Sequence, residues 1–422
     1  MDLMFPEMAV VRQSLISREL TDIAAAFEAA MAPIGGSLRS GNGASVAVCI
    51  GSRNINHLDE LVFQCLRFLK DNGFRPFIVP AMGSHGGAAP EGQKALLAGF
   101  NITENTMQAP IAAEMGTQPV GYLTPDLPLY ISNAALAADY IVPINRIKPH
   151  TKFSGAIESG ICKMLTIGLG KADGAGAFHR AAVTRGFGII EGAAEKLLSR
   201  LNILFGVGVL EDGYARLSSI DVLIPEEIIF REKELLEKAR QMMPGIPFDS
   251  IDILIIDQIG KDISGIGMDS NVTGRHRDIA GDFYTTPHVK RIFVRDLSPA
   301  SGGNANGIGL ADVTTRRVAD AVDWQKTFVN ALTAVSPEKA ARPMYFETDR
   351  ECLAACAQTT GIGETADLRI VRIKHTASLS HLQVSRPLEY EIQSHPALAQ
   401  IKEWAPFAFD ASDNLEDFIP YG

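Results

Sequence analysis

SVAVCIGSRNINHLDELVFQCLRFLKDNGFRPFIVPAMGSHGG, residues 45–87, is the stretch whose reading decides the fold. Its first six residues are apolar and β-branched enough to form a buried strand, which stops at Gly51-Ser52-Arg53. Leu58, Leu61, Val62, Cys65, Leu66 and Leu69 then recur at helical spacing, and Asn72-Gly73 supplies a residue that can close a helix in the left-handed conformation. Residues 77–80 read as a second strand running into Gly83-Ser84-His85-Gly86-Gly87, and Pro90-Glu91 opens the next helix. Strand, helix, strand with short connections specifies a parallel sheet covered by helices, where ligands gather at the carboxyl ends of strands. His85 falls at such an end.

The same grammar extends outward. Residues 140–144 form a strand leading through Lys148-Pro149-His150 into a glycine-dense segment, so His150 is placed as His85 is. Residues 204–210 and 220–224 read as further strands, and 225–243 as a charged amphipathic helix with proline at its start. Pro244-Gly245-Ile246-Pro247 breaks the pattern. A strand at 251–256 begins a second domain, which continues with strands at 290–295 and 368–373 and a mostly helical stretch at 311–335. The expected architecture is α/β: two Rossmann-like parallel-sheet domains, 1–244 and 245–395, with an active-site cleft between them. A closing helix at 396–404 and the tail to 422 are expected to pack back on the first domain.

A chain of 422 residues exceeds one compact core and fits about two domains. Hydrophobic residues at 46% and charged residues at 21% exclude a disordered chain. A formal charge of -10 argues against nucleic-acid binding, which needs a basic face to displace phosphate counterions. No basic segment leads into an apolar one at the N-terminus, and nowhere do about 18 apolar residues run uninterrupted. Neither secretion nor membrane insertion is expected, and the chain reads as cytoplasmic. Five scattered cysteines suit a reducing compartment; Cys352 and Cys356 share a helix face without the paired spacing of a zinc site.

Chemistry concentrates between Arg146 and Arg180. Lys163 stands among Ile161, Cys162, Met164 and Leu165, where an amine is costly to desolvate unless it is paired or modified. Buried amines are recurrent nucleophiles or attachment points; the plainer alternative is a stem that snorkels to the surface. His85, His150 and His179 border glycine-rich turns, as cleft groups or as surface hydrogen-bonders. In the second domain, Lys261 and Arg275 sit on the loop 258–275 after a strand, either as anion-binding donors facing the first domain or as parts of a solvated turn. The loop 301–307, Ser-Gly-Gly-Asn-Ala-Asn-Gly, could cradle a phosphate on its amides or be a plain loop.

Together, Gly83-Ser84-His85-Gly86-Gly87, Lys148-Pro149-His150, Lys163 with His179 sixteen positions on, and Gln258 with Lys261 three on resemble the lactate racemase family of nickel-pincer hydroxy-acid racemases and epimerases, over residues 45–310. The resemblance implies a cofactor, a pyridinium-3-thioamide-5-thiocarboxylic acid mononucleotide carrying nickel, joined through its thioamide to Lys163, with His179 completing the metal's coordination. It implies that His85 and His150 are the general acid and base, and that Arg53, Gln258 and Lys261 hold the substrate carboxylate or lie beside the cofactor. It also implies partner proteins that synthesise the cofactor and a small hydroxy-acid substrate. Ile50 stands where the family carries an acidic residue, a departure that bears on cofactor anchoring; the segment before Lys163 is longer and less basic, which points to a substrate other than lactate, such as a sugar acid. The rival readings are a lyase that uses Lys163 as a Schiff-base amine and a cofactor-free binding protein of the same fold.

Overall fold

The computed structural model describes residues 4–36, 38, 41–52, 55–278 and 286–419. The chain divides into two compact units, one running from Ser17 to Met243 and the other made of the N-terminal residues up to Ile16 and the chain from Pro244 onward.

The N-terminal unit is built on a five-stranded sheet in the order Arg75–Pro80, Ser45–Ile50, Tyr140–Arg146, Gly206–Glu211, Leu217–Leu223. The first four are parallel, and only the edge strand Leu217–Leu223 runs antiparallel. Burial on both faces explains the apolar run at its centre. Val46, Val48 and Ile50 enter one core with Phe27, Leu61 and Leu66, while Ala47 and Cys49 enter the opposite core with Ile161, Leu165 and Phe178. The helix Leu58–Asp71 turns Leu58, Leu61, Val62, Cys65, Leu66 and Leu69 inward as their spacing requires. A separate antiparallel hairpin, Thr117–Thr124 with Leu127–Ser132, lies outside the sheet.

The C-terminal unit holds an eight-stranded sheet in the order Met344–Phe346, Val313–Thr315, His288–Leu297, Ser250–Ile259, Ile370–Ile373, His381–Ser385, Met8–Gln13, Leu398–Gln400. Its first five strands are parallel and the last three are joined antiparallel. Both units are therefore parallel-sheet α/β assemblies, the class expected.

Two expectations need correction. The opening strand Met8–Gln13 pairs with His381–Ser385, so the chain's start belongs to the C-terminal unit. The closing segment forms a strand, Leu398–Gln400, on the other side of Met8–Gln13, in place of the expected helix and the expected docking on the first domain. Met8–Gln13 is buried at five of six positions, four of them apolar, and a strand with two open edges gains a full ladder only when both are covered. Within 311–335 a short strand, Val313–Thr315, precedes helices Arg316–Ala321 and Trp324–Thr333. Among the described residues no helix is long and apolar enough to cross a membrane. The five cysteines are buried and unbridged. Burial pushes the thiols of Cys49, Cys65 and Cys352 up to about 12, which suits apolar filler.

Candidate active site

The loops that carry His85 and His150 leave the carboxyl ends of neighbouring regions of one sheet. Ser45–Ile50, flanked by Arg75–Pro80 and Tyr140–Arg146, ends two residues before Ser52. Ser52 Oγ meets Nδ1 of His85, five residues beyond Pro80, in a short hydrogen bond. The amide of Gly83 donates to the carbonyl of Gly168 at 3.0 Å, tying the His85 loop to the segment that follows Lys163.

Lys163 ends the short helix Gly160–Lys163, and the chain then widens into an i→i+5 turn over Met164–Gly168, closed by Leu169 N–H on Met164 O at 2.8 Å. It is half-buried, flanked by the buried side chains of Cys162 and Met164. The start of this helix is held by a residue from far along the chain. Oε2 of Glu232 accepts the amides of Ile161 at 2.8 Å and Cys162 at 3.1 Å, two of the donors that a helix start leaves unpaired. Gly160 has φ +88°, and a Cβ there would lie 2.7 Å from the Glu232 carboxyl carbon, so only glycine admits this cap.

His179 lies on the helix Lys171–Arg185. Its Nδ1 is shielded from solvent and, among the described residues, has no hydrogen-bond partner. Burial first, then the ammonium groups of Lys163 and Lys152, pull the imidazole down to about 4, so it stays neutral at physiological pH. Phe187 stands between the histidines. Its ring stacks on Phe153 at 4.1 Å, Phe153 lies 4.4 Å from the His150 ring, and His179 meets the edge of Phe187 at 6.5 Å. Lys152 Nζ lies 5.7 Å from the centre of the Phe187 ring.

The His150 loop is pinned from beneath. Nδ1 of His150 accepts the amide of Lys152 at 3.0 Å. Glu158, buried, accepts the amides of His150 at 2.6 Å and Gly155 at 2.9 Å, and pairs with Arg240 at 2.5 Å. Ser159 Oγ accepts the amide of Lys148 at 2.8 Å and donates to its carbonyl. Glu232 and Arg240 both sit on the helix Ile228–Met242, two turns apart on one face. One helix therefore steadies the Lys163 turn and the His150 loop. In sequence this helix reads as charged and amphipathic, and the segment before Lys163 only as longer and less basic than in the family it resembles. The available signal was the placement of an acid and a glycine directly before an apolar lysine segment.

The structure thus brings His150 and His179 to Phe187, with the Lys163 ammonium acting on His179 and His85 on the loop tied to the segment after Lys163. Arg53 lies outside the described residues. Gln258 is the penultimate residue of the strand Ser250–Ile259 of the C-terminal unit, and the Lys261 amine donates to the Gly265 carbonyl at 2.6 Å and to Asn330 Oδ1 at 2.7 Å. Arg275 is not an anion donor held in reserve. Its guanidinium bonds Asp312 at 2.9 Å and the carbonyls of Val289, Lys290 and Leu310. The amides of the 301–307 loop likewise turn inward: Gly302 to Pro299 O, Asn304 to Ser301 O, Ala305 to Thr327 Oγ1 and Gly307 to Lys339 O, which removes the phosphate cradle. Among the described residues no three His, Cys, Asp or Glu side chains converge to hold a metal ion by themselves.

Parallel sheets with polar groups at the carboxyl ends of their strands define a two-unit α/β protein of the class that binds small ligands there. The solved structure of the lactate racemase apoprotein from Thermoanaerobacterium thermosaccharolyticum is similar to this chain, with a TM-score of 0.54 and 14% identity over 87% of this chain and 94% of that one. At that identity the likeness carries the fold alone. No protein-family model and no curated protein sequence matches the chain.

Proposed function

We propose that this chain is a nickel-pincer-dependent racemase or epimerase of an α-hydroxy acid. The observation that carries the reading is His179, a neutral imidazole with a shielded, unpartnered Nδ1 beside the Lys163 amine. A neutral ring nitrogen is the form in which histidine binds a metal, and an amine at the end of a well-capped helix is a fixed point of attachment, so these residues fit the group the resemblance implies. Lys163 would tether it and His179 would ligate its nickel. When bound, the group supplies the hydride acceptor that spares an α-hydroxy carbon from becoming a carbanion.

The chain's own residues move the hydroxyl proton. His85, held at Nδ1 by Ser52, and His150, held at Nδ1 by the Lys152 amide, each direct chemistry through Nε2, and two such groups let a proton leave or arrive on either face of a planar keto acid. Phe153 and Phe187 give the His150 side an apolar wall, which keeps water from competing for that proton. Coexpression with cofactor-synthesis proteins, followed by intact-mass and metal analysis, tests the reading. The expected result is an adduct on Lys163 with one nickel per chain and inversion of an α-hydroxy acid. An unmodified Lys163 that borohydride traps with a carbonyl substrate would replace this reading with the lyase.

A further inference from the structure

Lys171 is a fully buried amine that the proposed chemistry leaves unused. It opens the helix that carries His179 in a left-handed conformation, φ +50°, which side chains other than glycine, asparagine and aspartate rarely adopt. Its Nζ donates to the carbonyl of Pro80 at 2.5 Å and to Oε1 of Gln93 at 2.9 Å. Gln93 is equally buried, and its Nε2 donates onward to the carbonyls of Gly83 at 3.2 Å and His85 at 3.3 Å. Burial draws the amine down to about 8, only partly opposed by Cys49 and Glu114.

The two partners of the amine bracket the segment that matters. Pro80 closes the strand before the His85 loop, and Gln93 lies in the first turns of the helix after it, Pro90–Gly99. That helix presses directly on the loop, since a Cβ at Gly92 would lie 1.9 Å from the Gly86 carbonyl oxygen. A leucine or methionine would fill the volume of Lys171 without burying an amine, yet neither could bond both sides of the loop.

We propose that Lys171 and Gln93 are positioning residues that fix the backbone of residues 83–85 and through it the place of the His85 imidazole. The part of this that concerns catalysis rests on the function proposed above; the clamp itself does not. Gln93→Glu separates the two, because glutamate still accepts from Lys171 but cannot donate to the Gly83 and His85 carbonyls.

In cofactor-free protein, hydrogen exchange over residues 83–88 is expected to quicken about tenfold in Gln93→Glu, well beyond any change over the core strand Ser45–Ile50. In loaded enzyme kcat is expected to fall about tenfold with KM changed less than about twofold, and Gln93→Glu is expected to cost nothing further in a His85→Ala background. If Gln93→Glu does not fold, Lys171→Met carries the same comparisons. Unchanged exchange over 83–88 overturns the clamp, and an equal loss of kcat with and without His85 overturns its action through that residue. Wild-type protein that never acquires the Lys163 adduct refutes the proposed function instead, with the exchange measurement still deciding the clamp.

Discussion

Replacing Arg240 with leucine tests whether the helix Ile228–Met242 holds the His150 loop. Arg240 Nη2 reaches Glu158 Oε1 at 2.5 Å and the Gly155 carbonyl at 2.6 Å; the Glu158 side chain has no exposure and that of Arg240 has 22%. Removing one partner of a buried ion pair costs about 3–5 kcal/mol, because the other charge is left without compensation. Glu158 keeps two amide donors, from His150 and Gly155, and the arginine is not wholly out of water, so the expected loss is nearer 2–3 kcal/mol. For a unit of this size that lowers the thermal midpoint by roughly 5–10 °C. Glu158→Gln removes the stranded charge, so the Arg240→Leu loss should shrink by about 1–2 kcal/mol in that background. Urea denaturation of the four proteins of the cycle measures both quantities. A loss below about 0.5 kcal/mol, or one that is the same with glutamine at 158, refutes the argument that this pair is buried and coupled.

Two further changes probe the same frame. Burial pushes the Glu232 carboxyl up to about 8, with the Cys162 and Ile161 amides pulling the other way, so the folded chain holds a proton there between pH about 4.5 and 8 that the unfolded chain has released. Stability should therefore fall with rising pH across that window by about 1.4 kcal/mol per unit from this group and level off above it, and Glu232→Gln should remove the slope; a wild-type-minus-variant difference that is constant from pH 5 to 8 contradicts this. Ser52→Ala should deprive the His85 ring of its Nδ1 partner, shifting the tautomer balance seen by ¹⁵N NMR, while Ser52→Thr restores it; an unchanged ring spectrum in the alanine variant removes Ser52 from the site.

The core of the N-terminal unit was legible because both faces of its sheet are covered, and a strand such as Ser45–Ile50 then announces itself as an unbroken apolar run. Met8–Gln13 carries a shorter apolar run, but its partners lie some 370–390 residues away, and no local pattern tells a chain that its first strand will join the sheet of its last unit. The tail failed for a related reason. Residues 398–400 are a strand only because an open edge is there to receive them, and tertiary context overrode weak helical spacing.

The histidines and lysines of the site could be read because chemistry restricts residue types at strand ends, whereas the residues that hold them could not. Glu158, Glu232, Gln93 and Lys171 are polar groups at sequence separations of 3 to 91 from what they bond, and in one dimension a buried acid on an amphipathic helix is indistinguishable from a solvated one. What distinguishes them in three dimensions is energetic. Two carboxyl groups and an amine lie in the interior of one unit, bonded to backbone amides or carbonyls in or next to the turns that carry His85, His150 and Lys163, with Arg240 and Gln93 as the side-chain partners of Glu158 and Lys171. An apolar residue of equal volume at any one of the three would leave those amides or carbonyls, and in one case Arg240, without partners, so these groups stabilise the turns as well as place them. Their concentration under the loops that bear the candidate chemistry argues for placement of those loops as a property they serve, and an all-apolar replacement of the three should both destabilise the unit and leave its histidines poorly held.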